Sequence, residues 1–250
     1  MSHRRPEIVA IVFARRYAAA TRRTVAVVIC GFLMSHSCPM ARGAEPLIQT
    51  LPEDGSWVQF HVNLKIGAQA STPTWILKSV GKKEVAEIPC RWIEMHSKQG
   101  ERNEVIFKCL IAESEFGKGK NPLANALNVY RKLGEQPVAE VPNLAAADPA
   151  LALILSGPAE AKPLEMKESV ELQDGRVECD VITGKNKSEI GNIRIEIVHR
   201  LLQSDKVPFR LAGAKFEIDA DVAGNKFAGT AELTLNKVGK DAKSELDSVE

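Results

Sequence analysis

Aromatic residues are scarce in this chain of 250 residues: 3 Trp, 2 Tyr and 8 Phe make up 5% of a sequence that is 44% hydrophobic. Its core must therefore be mainly aliphatic. No run of about 18 apolar residues occurs, which excludes an ordinary membrane-spanning helix. HExxH, His-x-His and Cys-x-x-Cys are all missing, so no ligand set for a metal is implied. The nucleophile elbow Gly-x-Ser-x-Gly is missing too. Gly117-Lys118-Gly119-Lys120 lacks the first glycine and the Gly-Lys-Ser/Thr ending of a phosphate loop, and reads as a flexible loop. The sequence implies no catalytic residues, cofactor or metal, and a non-enzymatic protein is expected.

Charge gives little more. Lys+Arg number 33 against 32 Asp+Glu, for a formal net charge of +1. Seven arginines lie before Ala44, where the sole acid is Glu7, so the remainder is mildly acidic. Without a basic stripe interleaved with aromatics, nucleic acid is not an expected partner.

What is present begins at the N-terminus. Arginine-rich sequence leads into Thr24 to Met34, 11 residues of apolar character, then polar Ser35 to Pro39 and Ala41-Arg42-Gly43. Positive, then apolar, then small residues spaced one apart form the pattern of a secretory signal peptide, cleaved near Gly43. As a helix the apolar run would rise only about 16 Å, too short to anchor the chain. Thr21-Arg22-Arg23-Thr24 adds twin-arginine character, while Cys30 and Cys38 lack the context for lipidation. The expected product is an exported protein of the periplasm or cell envelope, residues 44–250, folded as one domain with no transmembrane span.

Val58, Phe60, Val62, Leu64 and Ile66 alternate with polar residues, the period of a half-buried strand. Thr74–Val80, Ile88–Met95 and Glu104–Ile111 extend this to a four-stranded antiparallel meander. Asn121-Pro122 then offers a cap and a first-turn proline, and Leu123, Leu127, Tyr130 and Leu133 repeat at helical spacing up to Gly134. Asp148-Pro149 starts a second apolar helix, Ala150–Ser156. Strands resume at Lys167–Gln173 and Arg176–Ile182 around Asp174-Gly175, a strong hairpin signal that sets Cys179 opposite Val170. Asn192–Leu202, Ala214–Val222 and Phe227–Leu235 complete the set, with Phe216 opposite Leu233 and Ile218 opposite Ala231. The fold class is mainly β (α+β): a curved antiparallel sheet or incomplete β-barrel of about nine strands, with two apolar helices inserted between strands four and five.

Histidines 61, 96 and 199 are scattered singly, His61 on a polar face and His199 near a strand end, as surface or rim residues. The pairs Glu113/Glu115 and Asp219/Asp221 are expected to be solvated, and Asn186-Lys187-Ser188 fits a glycosylation acceptor. A two-residue turn at Gln99-Gly100 would place Cys90 opposite Cys109 and Trp92 opposite Phe107. That leaves two readings open, a disulfide or two buried thiols.

Glu53-Asp54-Gly55-Ser56-Trp57-Val58, Pro89-Cys90-Arg91-Trp92-Ile93-Glu94, Lys206-Val207-Pro208-Phe209 and Gly239-Lys240-Asp241-Ala242-Lys243-Ser244 resemble segments of a secreted protein family of planctomycete-type bacteria that carries no assigned activity. More distantly, strands, then helices, then strands, with a Val-Pro step before a late strand, are similar to the periplasmic lipoprotein carrier and lipoprotein-sorting superfamily. That resemblance implies an incomplete barrel whose concave apolar face holds acyl chains. Leu123, Leu127, Tyr130, Leu151, Leu153 and Ile154 would line the cavity, and a lipid or acylated protein would be the partner. The alternative is an envelope structural or interaction module with a filled core.

Overall fold

The computed structural model describes residues 46–246 apart from 101–102, 173–174 and 191–192. The expected signal peptide and its cleavage point near Gly43 lie outside the described residues. Among the described residues no helix is long and apolar enough to cross a membrane.

Twelve strands form one open antiparallel sheet: β1 (Trp57–Ile66), β2 (Gln69–Ser71), β3 (Thr74–Val85), β4 (Ile88–Gln99), β5 (Asn103–Ala112), β6 (Asn128–Leu133), β7 (Ala139–Val141), β8 (Lys162–Leu172), β9 (Gly175–Ile190), β10 (Ile193–Gln203), β11 (Leu211–Val222) and β12 (Asn225–Gly239). The order is β7-β6-β5-β4-β3-β1-β12-β11-β10-β9-β8, with β2 paired to β1 off the main path. Two meanders thus meet in the middle of the sheet, where β1 pairs with β12 from Trp57↔Gly239 to Ile66↔Gly229.

The sheet's edges, β7 and β8, are joined by residues 142–161. This connection holds the two α-helices of the described residues, α1 (Leu144–Ala147) and α2 (Pro149–Leu155). Asn143 caps α1 by accepting from Ala146 N at 2.7 Å, and Asp148 caps α2 by accepting from Leu151 N at 2.9 Å. Eleven strands at about 4.8 Å spacing would set the edges of a flat sheet about 48 Å apart. A connection so largely helical reaches about that far only when pulled taut. Here it folds back instead: Leu47 N donates to Leu155 O at 3.2 Å, and Leu155 is buried in the core. The sheet must therefore curl.

The core is aliphatic with a few rings. Phe60, Phe209 and Phe216 are fully enclosed beside Leu201, Leu211, Ile93 and Ile111. A second, smaller cluster of Val80, Cys90, Trp92 and Leu110 lies on the other face of β4 and β5.

Several expectations are corrected. Nine strands become twelve, and in place of the helix over Leu123–Leu133 the chain makes a turn and then β6, Asn128–Leu133. Asn121 does cap one turn, accepting from Ala124 N at 3.3 Å, but Leu127 N then donates to Leu110 O at 2.7 Å and the chain runs on as β6 beside β5. The nearly fully buried β5 needs a partner for its second edge, and Val129 and Tyr130 suit a pleated surface, so pairing overrides helical spacing. Ala139–Val141, between the two segments expected to be helical, form β7.

Three registers also move. β4 and β5 pair Gln99↔Asn103, three residues from the expected register, so Cys90 meets Ala112 and Cys109 meets Ile93. An odd shift turns a side chain to the other face, and Cys109 lies in the main core while Cys90 lies in the second cluster. Among the described residues all three cysteines are free. β11 and β12 pair Phe216↔Ala231 and Ile218↔Gly229, through a turn at Ala223-Gly224 with φ of +52° and +86°. β8 and β9 pair Val170↔Val177 and Glu168↔Cys179. Both of those shifts are by two residues, which keeps the expected face and changes only the partner.

Candidate functional site

Charge is concentrated where the sheet would be expected to turn a polar face to water. Lys78 on β3, Glu94 on β4 and Lys108 on β5 stand opposite one another in register, positive, negative, positive. Opposite residues of neighbouring strands share a face, so the row is a cross-strand charge ladder. It is not solvated: Glu94 is 0% exposed, Lys108 3% and Lys78 9%.

The chain after β12 covers it. Trp57 Nε1 donates to Asp241 Oδ1 at 2.7 Å and Ala242 N to Gly55 O at 2.9 Å, which lays residues 240–246 across β3, β4 and β5 as a strap. Ser244 Oγ donates to Glu94 Oε1, and Glu245 N to Glu94 Oε2 at 3.1 Å. Lys108 Nζ donates to Leu246 O at 2.9 Å and Ser244 Oγ at 3.0 Å, and Lys78 pairs with the Glu245 carboxylate. Leu246 is buried at the strap's end. Burial on its own would raise the Glu94 pKa. The hydrogen bonds from His96, Ser244 and Glu245 outweigh it and hold the carboxyl below its usual range.

His96 lies two residues beyond Glu94 on the same face and is 4% exposed. Its Nε2 is 3.1 Å from Glu94 Oε2. An ionised carboxylate only accepts, so that ring nitrogen carries the proton. Nδ1 points at Glu245 Oε1, 3.5 Å away. Glu104, near the start of β5, brings a carboxylate oxygen within 4.8 Å of both groups.

Around this centre, Lys108 Nζ lies 5.0 Å from the Trp92 ring centroid, and the Trp92 and Tyr130 rings are 6.1 Å apart. Arg91 donates to Ser79 Oγ and Glu113 Oε1, both at 2.9 Å, so Glu113 is paired rather than simply solvated. Asp219 is exposed as expected, and Asp221 accepts from Gly224 N.

Of the six residues expected to line a cavity, four gather at the main core and two lie elsewhere. Leu123 is buried in the main core, and Leu151, Leu153 and Ile154 pack against it from α2. Leu127 is 50% exposed, and Tyr130 belongs to the second cluster. Two clefts elsewhere have volumes of about 640 and 440 Å³. None of the six lines either one. The larger mixes charged side chains, Lys187, Glu189, Arg194, Glu196, Asp219 and Lys226 among them, with Ile195, Ala220, Phe227 and Ala228.

His61 is exposed as expected, but His199 is not a rim residue. It is 0% exposed and packs edge-on against Phe216 at 5.3 Å, and neither ring nitrogen has a hydrogen-bond partner among the described residues. Desolvation lowers its pKa to about 4. Asn186 donates to Ser156 Oγ at 2.9 Å and Gly157 O at 3.1 Å, so its side chain holds the end of α2.

The polar ladder was hidden from sequence reasoning because Lys78, Glu94 and Lys108 occupy ordinary outward strand positions. The strap that buries them comes from more than a hundred residues away. The available signal was Glu94 and His96 two apart between Trp92 and Lys98, which share one face of a strand.

No protein-family model matches the chain, and no curated protein does. Among solved structures, a Bacteroides fragilis NCTC 9343 protein assigned as exported, with a YmcC-like fold, is similar at 7% identity and a TM-score of 0.37, over 79% of this chain and 100% of that one. A chain from the Pseudomonas aeruginosa MucA/MucB complex aligns at 7% identity and a TM-score of 0.15, over 75% and 94%. At such scores the functional reading must be built from the chain's own residues.

Proposed function

We propose that this is an exported, non-enzymatic module of the cell envelope that works through its surface, as a structural or interaction protein, and that its core does not serve as a lipid pocket. Export is read from the arginine-rich, apolar and small-residue order before Ala44. The observation that carries the rest is the occupancy of the core by the chain itself. Phe60, Phe209 and Phe216 are each 0–1% exposed, and Leu155 of α2 belongs to the same buried cluster at 3%. An acyl chain needs an apolar cavity of about 300 Å³ or more. Both clefts have the volume, but charged side chains edge each of them, Lys187, Glu189, Arg194 and Glu196 at the larger and Lys65, Lys215, Glu217 and Glu232 at the smaller, and these would have to be desolvated by a hydrocarbon tail.

The test is mass spectrometry of organic extracts from the protein purified without detergent out of its native envelope, beside an unrelated exported control. An extract matching the control is expected. A stoichiometric lipid or acyl peptide would overturn the filled-core reading and return the carrier reading. Sequencing the N-terminus of the envelope-derived protein checks export separately, with Ala44 expected first.

A further inference from the structure

We propose that His96, Glu104 and Glu245 form a binding site for a first-row divalent cation, zinc foremost, that clips the strap after β12 to strands β4 and β5. Their ligand atoms lie within 4.8 Å of one another, one from each of the three elements that meet there. His96 Nδ1 and Glu245 Oε1 are 3.5 Å apart. That is close to the edge of a tetrahedron with bonds of about 2.0–2.1 Å, as zinc makes to nitrogen and oxygen.

The second observation is how His96 is held. It is buried, and its Nε2–H is held on Glu94 at 3.1 Å, which leaves Nδ1 facing the Glu245 carboxylate. Two electron-rich atoms facing each other repel unless a proton or a cation lies between them. A carboxylate on the far nitrogen of a ligating imidazole is the usual orienting partner at zinc sites, where it fixes the tautomer and raises ligand basicity. Glu94 takes that part here. It is itself held by Ser244 and by Glu245 N.

An imidazole among two carboxylates favours zinc and its neighbours over calcium or magnesium, which take oxygen. Glu245 is 49% exposed at its side chain, which gives an ion a path in from solvent. Lysines compete for the same acids: Lys78 pairs with Glu245, and Lys98 stands opposite Glu104. The ion displaces Lys78 from Glu245 Oε1, and a water completes the four ligands.

The test uses the purified protein stripped with chelator and titrated with zinc chloride, followed by calorimetry and thermal melting. One saturable equivalent and a rise in Tm are expected. Glu104→Gln and Glu245→Gln should each weaken binding at least 10-fold, and Glu94→Gln by 10–100-fold through the misoriented ring. Should Glu94→Gln fail to fold, Glu104→Gln carries the test, because Glu104 lies outside the hydrogen-bonded ladder. Zinc should also slow trimming of the strap by a metal-independent carboxypeptidase. Absence of saturable binding would overturn the site, as would equal affinity in Glu104→Gln and Glu245→Gln. Binding without protection of the strap would overturn the clip.

Discussion

Trp57 and Asp241 are joined by a 2.7 Å hydrogen bond from the indole Nε1 to Oδ1, at the point where β1 begins and β12 has just ended. The indole lies so close to Gly239 that a Cβ there would sit 2.4 Å from Trp57 Nε1 and 2.5 Å from Cε2. Gly239→Ala is expected to displace the ring, break the bond to Asp241 and destabilise the protein by about 1–3 kcal/mol, typical of overpacking. Urea denaturation measures it. A variant as stable as wild type would show that the ring is not pinned.

Glu94 is fully buried, binds His96 and holds the strap twice, through Ser244 and Glu245 N. Glu94→Ala strips those three groups of their common acceptor, at an expected cost of about 3–5 kcal/mol. Glu53→Gln removes an exposed partner of Lys240 and should leave the denaturation midpoint unchanged. Equal midpoints for the two variants would remove the ladder from the account of stability.

Burial sets the pH response of His199. Its pKa is about 4 in the folded protein against an ordinary 6.5, so between those values the unfolded chain binds a proton that the folded one does not. Stability from the neutral ring is full above pH 6.5 and falls as pH drops towards 4. The loss is at most about 3 kcal/mol. His199→Phe keeps a ring against Phe216 and should lose less stability than wild type from pH 7 to pH 4. Parallel curves would mean that the histidine is already charged or solvated in the folded state.

The thiols offer a direct check on register. Burial pushes the Cys109 thiol up to about 12 and raises Cys90 and Cys179 as well. Protein expressed as residues 44–250 should show no thiol reactive towards Ellman's reagent when native and three after unfolding without reductant. One thiol after unfolding would restore the Cys90 to Cys109 bridge and the register that carries it.

Leu123 and Leu127 would share a helix face at a spacing of four, but Leu123 sits in a turn with its side chain buried and Leu127 in the exposed bend just before β6. Leu123→Ala should cost about 2–5 kcal/mol, while Leu127→Ala should stay within about 0.5 kcal/mol. Similar losses in both would favour the helix.

Alternation along Val58–Ile66, Ala214–Val222 and Phe227–Leu235 was enough to find the strands and their core faces, because a pleated strand buried on one side writes its period into the sequence. The cap at Asp148-Pro149 located α2 for a similar local reason. Turn lengths were harder to read. The even shifts between β8 and β9, and between β11 and β12, left the apolar pattern intact, so composition could not tell one register from the other. Between β4 and β5 both faces are buried, on one side by the core and on the other by the second cluster and the strap. An odd shift therefore exposes nothing, and the Cys90 and Cys109 pairing looked as sound as the true one. Leu123–Leu133 failed because β5's need for a neighbour is not recorded in the segment that supplies it. The candidate site was the least legible part. Lys78, Glu94, His96 and Lys108 look like a wet strand face until residues 240–246 are laid over them.

β1 and β12 run antiparallel with Trp57 beside Gly239, so the chain enters and leaves the sheet at the same end of that central pair. Tension applied between the two ends of the domain would load the ladder one rung at a time, as in opening a zip, and not all rungs together in shear. The seam that unites the two meanders is thus mechanically the softest line in the sheet. The bonds that the load meets first are those of the strap, Trp57 to Asp241 and Gly55 to Ala242.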